Sequence, residues 1–280
     1  MQDLREHHLT LARKITEEVL SRTDPAAVVL TGSVAGGEVD GASDLDILLW
    51  YDRPLTDEDW RTDVALAVSR GGGLHHGNQE HGWASYHFFE GIKVDFAWGP
   101  ISFYQNEVRE MYLNPHLRWD SHLILGGLQK GIVLHGEGVV LPLQNQLTTF
   151  PAGLAEIMVT QHVTFMPRWA LENMGLKRGD SFFVAEHLYK AAESVVGILC
   201  GLNRKFLPGK LKGCGPLLDR MEIAPPDVRR RTEMLVAGDQ VRAVETLVPL
   251  VDELHALVRQ HLPHLDLSRA RARWEAVLRR

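Results

Sequence analysis

Cysteine is scarce in this chain: Cys200 and Cys214 are the only two in 280 residues. Such a count leaves stability to a packed core, and free thiols in a reducing cytoplasm are the expected state of both. Long apolar stretches are missing too. No run of about eighteen apolar residues occurs, which excludes a membrane-spanning helix by sequence. Met1 to His8 is polar and lacks the apolar centre of a secretory signal, so no export signal is expected there. Positive charge is in deficit. Lys and Arg number 30 against 36 Asp and Glu, a formal charge of −6, which argues against a general electrostatic grip on DNA or RNA. There is no internal repeat and no low-complexity tract. What remains is 45% hydrophobic residues over 280 positions, enough for a substantial core in one large or two ordinary domains.

The stretch with the most chemical content is Thr31-Gly32-Ser33 followed by Ser43-Asp44-Leu45-Asp46-Ile47. Ala26 to Leu30 reads as a buried strand ending in Gly-Ser. Asp-Leu-Asp then opens a second apolar run, Ile47 to Tyr51. Residues two apart on a strand share a face, so Asp44 and Asp46 project side by side. Two carboxylates at about 4 Å repel by roughly 4 kcal/mol at an effective dielectric of about 20. A divalent cation removes that repulsion, and Mg²⁺ is commonly held by one or two carboxylates plus substrate phosphates. Gly32 and Ser33 let backbone N–H groups approach such phosphates. Lys93-Val94-Asp95-Phe96-Ala97 reads as another strand with an acid among apolar residues, costly to bury unless paired or metal-bound. If it lies beside the Asp44/Asp46 strand, three acids meet in a two-metal phosphoryl-transfer layout, with Asp95 as the general base.

This order of residues resembles the nucleotidyltransferase superfamily that includes DNA polymerase beta. The short form with a helical C-terminal domain is similar to the bacterial antibiotic (aminoglycoside and lincosamide) nucleotidyltransferases. The resemblance covers residues 26–97. It implies that Gly32 and Ser33 contact a nucleoside triphosphate, that Asp44, Asp46 and Asp95 ligate Mg²⁺, and that Asp95 is catalytic. The expected co-substrate is an NTP, ATP first among them, and the expected acceptor is a hydroxyl of a small molecule. Many family members carry an arginine two or three residues after the serine. Here Ala35, Gly36, Gly37 and Glu38 fill that loop, so phosphate-binding charge has to come from elsewhere. A Glu-x-x-x-Lys pair on a helix of the C-terminal domain occurs in some aminoglycoside enzymes, the acid serving as base and the lysine touching nucleotide phosphate. By that likeness Glu186 competes with Asp95 as base and Lys190 supplies the missing charge. The plainer reading of the two is a surface ion pair. Loops carrying Glu38, Asp40, Glu80 and Glu90 suit a cationic acceptor.

The fold class expected is α+β: a nucleotidyltransferase α/β domain with a mixed sheet over residues 1–143, then an α-helical bundle over 144–280, with the ligand cleft between them. Helices are predicted over Leu4–Leu20 and from an N-cap at Thr56 to Ser69. Gly71 to Gly73 reads as a flexible break, and His75, His76 and His81 as a polar loop beside the cleft. Trp83–Phe89 and Ile92–Trp98 read as strands joined at Glu90-Gly91, with His87 a candidate cleft residue. Trp83, Tyr86, Trp98 and Trp169 could stack on a base or sugar, although core packing is the ordinary role of each. Helices follow over Ser102–Leu113 and Ser121–Lys130, then a short edge strand at Ile132–Leu134. One helix is predicted for Leu154–Gly175, kinked at Pro167, and another for Phe182–Leu202, mostly buried. Arg204, Lys205, Lys210 and Lys212 give a basic loop able to hold phosphates. Two alternatives to the small-molecule transferase stay open: nucleotidylation of a protein or tRNA partner, and a non-catalytic nucleotide-binding protein of the same fold.

Overall fold

The computed structural model describes residues 2–78 and 82–276. Among them the chain forms two compact units. One comprises residues up to Leu113 together with Ile124–Thr149, and the other Asn114–Leu123 together with residues from Phe150 onward.

The first unit is a six-stranded mixed sheet with helices on both faces. Helix α1 (Gln2–Arg22) leads into β1 (Ala27–Thr31), the one-turn α2 (Gly32–Gly36) and β2 (Leu45–Tyr51). Helix α3 (Asp57–Ser69) is followed by β3 (Gly73–Asn78), β4 (Gly82–Phe89) and β5 (Ile92–Pro100). Next come α4 (Ile101–Leu113), α5 (Trp119–Lys130), β6 (Ile132–His135) and α6 (Glu137–Leu147), and the boundary between units falls within α5. The strand order is β3-β4-β5-β2-β1-β6. The β2–β5 pair is parallel and the other neighbours are antiparallel.

Alternation along the strands sets what each face carries. Leu45, Ile47, Leu49 and Tyr51 of β2 join Val28, Leu30, Val94, Phe96 and Trp98 in a core closed by Leu9, Leu11, Ile15 and Val19 of α1. Trp83 and Trp98 stack within that core, ring centroids 5.0 Å apart, so both take their ordinary packing role. On the opposite face Trp50 stacks on Tyr104 of α4 at 4.3 Å. The hairpin between β4 and β5 turns on Glu90 and Gly91, both with positive φ (53° and 83°), the backbone that two-residue hairpin loops favour.

The second unit is helical: α7 (Leu154–His162), α8 (Arg168–Ala170), α9 (Ser181–Leu202), α10 (Cys214–Asp219), α11 (Val228–Ala237), α12 (Gln240–His261) and α13 (Ser268–Trp274). The single helix expected over Leu154–Gly175 is broken. It stops after His162, resumes at Pro167 as a short turn, widens to a π-turn over Leu171–Gly175 and tightens to 3₁₀ over Leu176–Arg178. Pro167 lacks the N–H that would continue the ladder and sits just before a new helical start instead. Helix α9 begins at Asp180, whose carboxylate accepts from Phe183 N–H at 3.0 Å. Its burial is uneven. Phe182 is 89% exposed, whereas Ala191, Ala192 and Val195 through Leu202 are buried, so the helix is half-exposed at its start rather than buried throughout. No described helix is long and apolar enough to cross a membrane. Both cysteines are free and buried.

Candidate active site

The parallel pairing of β2 with β5 sets Asp46 directly opposite Asp95. Neighbouring strands lie about 4.8 Å apart, so these two carboxylates leave the same sheet face as close neighbours. Asp44 is two residues before Asp46, at the mouth of β2. All three acids are partly buried. The antiparallel β1 ends opposite them, with Thr31 paired to Asp46, and the Thr31 hydroxyl donates to the Asp46 carbonyl at 3.3 Å. Gly32 follows with φ +69°, and a Cβ built there would overlap the Asp46 carboxylate. Glycine at this point therefore meets two demands, a left-handed backbone and the close approach of an acid. Ser33 stands in the same turn.

Three further side chains share this face. Lys93 precedes Asp95 by two residues, and its Nζ lies 2.5 Å from Asp95 Oδ2 and 3.7 Å from Asp44 Oδ2. His75 Nε2 meets the other oxygen of Asp95 at 2.9 Å. Tyr86, register partner of Asp95 on β4, packs its ring at a tilt against His75 at 4.7 Å and lies 5.7 Å from the Lys93 ammonium. Burial alone lowers the Lys93 pKa. The hydrogen bond and charge of Asp95, with the charges of Asp44 and Asp46, outweigh that and raise it. The ammonium is therefore firmly charged at neutral pH.

His75 and His76 lie on β3, not in a loop, and His75 is turned to the acids. Glu80 and His81 lie outside the described residues. His87 is not a cleft residue: it faces the α1 side of the sheet, buried, with Nε2 3.1 Å from Asp63 Oδ1. Asp63 also accepts from Trp83 Nε1 at 2.8 Å. The cause is strand alternation, which puts His87 opposite in sense to Tyr86. A cavity of about 340 Å³ beside Val19, Leu66, Arg70, His87 and Trp98 belongs to that face and not to the acids. Two residues of α1 support the loop that carries the acids, and no spacing in the sequence pointed to them. Arg5 Nε donates to Val34 O at 3.1 Å, and His8 Nε2 stands 3.2 Å from Ser43 O. Of the acidic loop residues, Glu90 is paired with Lys14 at 2.5 Å and Asp40 turns back on Ala42 and Ser43.

Glu186 and Lys190 lie in the second unit, on the outer face of α9. They pair with each other at 2.5 Å with side chains 58% and 59% exposed, and Lys190 holds the Glu186 carboxyl below the usual carboxylate range. Lys190 also lines a small cavity of about 180 Å³ with His187, Ser194 and Arg273. The basic loop is anchored by its backbone: Leu207 N–H donates to His122 Nδ1 at 3.1 Å, leaving Arg204, Lys210 and Lys212 exposed.

The carboxylates of Asp44, Asp46 and Asp95 are hard oxygen donors, the set that suits Mg²⁺. That an ammonium is drawn between Asp95 and Asp44 shows that the cluster attracts a cation. No three His, Cys, Asp or Glu side chains among the described residues stand arranged around a common metal position. The donor chemistry fits the ion, and Lys93 would have to yield to it.

No curated protein matches this sequence. One solved structure with a similar course is a nucleotidyltransferase-like protein from Exiguobacterium sibiricum 255-15, 13% identical, with a TM-score of 0.40 over 90% of this chain and 76% of that one. Residues 12–77, the span that holds Gly32, Ser33, Asp44 and Asp46 and stops short of Asp95, match the family model of the nucleotidyltransferase domain.

Proposed function

We propose that this protein is a Mg²⁺-dependent nucleotidyltransferase that moves a nucleoside monophosphate from an NTP, ATP first among the candidates, to a hydroxyl of a small molecule. The observation that carries the reading is the register pair Asp46–Asp95 beside Asp44, on the face that Gly32 and Ser33 border. Those three carboxylates would hold the cation, which when bound supplies charge neutralisation at the phosphates. The chain's own residues do the rest. Gly32 leaves room for the Asp46 carboxylate and gives the triphosphate a close approach to backbone N–H groups. Ser33 orients it there. Asp95 accepts the proton of the acceptor hydroxyl, and His75, hydrogen-bonded to its second oxygen, fixes the carboxylate plane. By family likeness Glu186 is the alternative base and Lys190 an alternative phosphate contact. An aminoglycoside-like antibiotic fits as acceptor because the face is acidic. The two free, buried cysteines suit a cytoplasmic setting.

Pyrophosphate release tests the reading, measured over the four NTPs with amino-sugar acceptors and Asp44→Asn as the blank. Release that needs Mg²⁺ and falls at least a hundredfold in Asp44→Asn is expected. Absence of release with any NTP, together with no NTP binding at millimolar concentration, would leave a non-catalytic fold relative. Labelled NTP in lysate separates acceptors: a small adduct supports this reading, and a labelled protein or tRNA band replaces it. Asp95→Asn against Glu186→Gln decides the base.

A further inference from the structure

The cation found at the acid cluster is part of the chain. Strand alternation puts Lys93 on the same face as Asp95, and β2–β5 pairing brings Asp44 within reach, so one ammonium bridges carboxylates of two strands at 2.5 and 3.7 Å. Its side chain is 34% exposed, with the Tyr86 ring beneath it. Three acids against one ammonium leave the cluster net negative. A divalent ion beside the ammonium would bring that sum to zero, but the two would compete for the same oxygens of Asp95 and Asp44 and repel each other at close range. A lysine suits such a place better than an arginine. It binds as a point charge on a flexible stem and can withdraw, whereas a planar guanidinium would clamp a carboxylate through two bonds.

We infer that Lys93 is a stand-in cation: it balances the Asp44/Asp46/Asp95 cluster in the metal-free protein, gives way to a divalent ion, and then serves the triphosphate. This rests on the transferase reading given above. Displaced from Asp95, the ammonium remains tethered to β5 at the edge of the cluster. There it provides the positive charge that Ala35, Gly36, Gly37 and Glu38 do not. Ion and lysine thus compete for the same oxygens before nucleotide binds, and cooperate on its phosphates afterwards.

The test is Mn²⁺ titration of the full chain without nucleotide, by isothermal titration and by the electron paramagnetic resonance signal of free Mn²⁺. Lys93→Met is expected to bind Mn²⁺ about tenfold more tightly than the native chain. Its melting temperature should fall without metal and recover with it. Lys93→Arg should bind Mn²⁺ more weakly than the native chain. With Mg²⁺ saturating, Lys93→Met should raise the KM for NTP about tenfold. If Lys93→Met folds poorly, Lys93→Gln carries the same expectations. Equal or weaker Mn²⁺ affinity in the neutral variants overturns the inference, and if pyrophosphate release by the native chain persists, the transferase reading survives alone. If neither the native chain nor Lys93→Met binds Mn²⁺ and no NTP is turned over, both fall.

Discussion

A single backbone angle shows how tightly sequence and site are joined here. Gly32 sits at φ +69° with the Asp46 carboxylate where a Cβ would go. Gly32→Ala is therefore strained twice, by conformation and by overlap. We expect a loss of about 1–3 kcal/mol in stability and at least a hundredfold loss in pyrophosphate release, because Asp46 must move to admit the methyl group. Circular dichroism melts and turnover measured on the same preparation check this. A variant that keeps native turnover would separate Gly32 from the acid site. Much of this neighbourhood was readable in the residues themselves, since Gly-Ser and Asp-x-Asp each carry a local geometric meaning. His75 was not. His-His in a Gly-rich stretch has no apolar alternation to mark it as a strand, and only pairing with β4 turns one ring towards Asp95.

Among the elements, α3 and α9 show opposite relations between pattern and structure. Thr56 caps α3 as its sequence predicts, in a reciprocal box: its hydroxyl accepts from Asp59 N–H and the Asp59 carboxylate accepts from Thr56 N–H. The Arg53 guanidinium, bidentate on Asp59 at 2.8 Å, is the main cause that holds this carboxyl down at about 2. A carboxyl depressed in the folded state adds stability above its unfolded pKa near 4, and that stability is lost as pH falls towards 2. Allowing for screening at the half-exposed Arg53, the contribution is roughly 1–2 kcal/mol. Thr56→Ala should cost about 1 kcal/mol, and Asp59→Asn should flatten the acid limb of the stability curve in urea titrations between pH 4 and 2. At α9 the informative feature is packing that no cap or period announces. A Cβ at Gly197 would overlap the His162 ring of α7. Gly197→Leu should separate the two helices and lower stability by about 1–3 kcal/mol or more, measured as a shift in denaturant midpoint; an unchanged midpoint would show a looser crossing than the one described.

At the scale of the whole molecule, four histidines favour stability at neutral to alkaline pH. Burial lowers the pKa of His122, His162, His187 and His255, all in the second unit. His122 also spends both nitrogens on backbone, Nδ1 accepting from Leu207 N–H and Nε2 donating to His116 O at 2.8 Å. Groups depressed in the folded state contribute stability above their unfolded value of about 6.5, and that contribution fades as pH falls below it. We expect the melting temperature to fall from about pH 6.5 towards pH 5, and His122→Asn to weaken that fall. A flat profile over this interval would show that these rings are not held neutral by the fold.

Composition and local order determined the class of the molecule. Strand–Gly-Ser–Asp-x-Asp, the hairpin at Glu90-Gly91, the cap at Thr56 and the helical second half all follow from short-range rules, because each depends on neighbours within one turn or one pleat. The tertiary structure alone decided which strands met. Parallel pairing of β2 with β5 joined acids 49 residues apart at Asp46 and Asp95, set Lys93 between Asp95 and Asp44, and sent His87 to the opposite face. Residue spacing does not encode sheet order, and so the charge balance of the site, which rests on side chains from separate strands, first exists when the sheet closes.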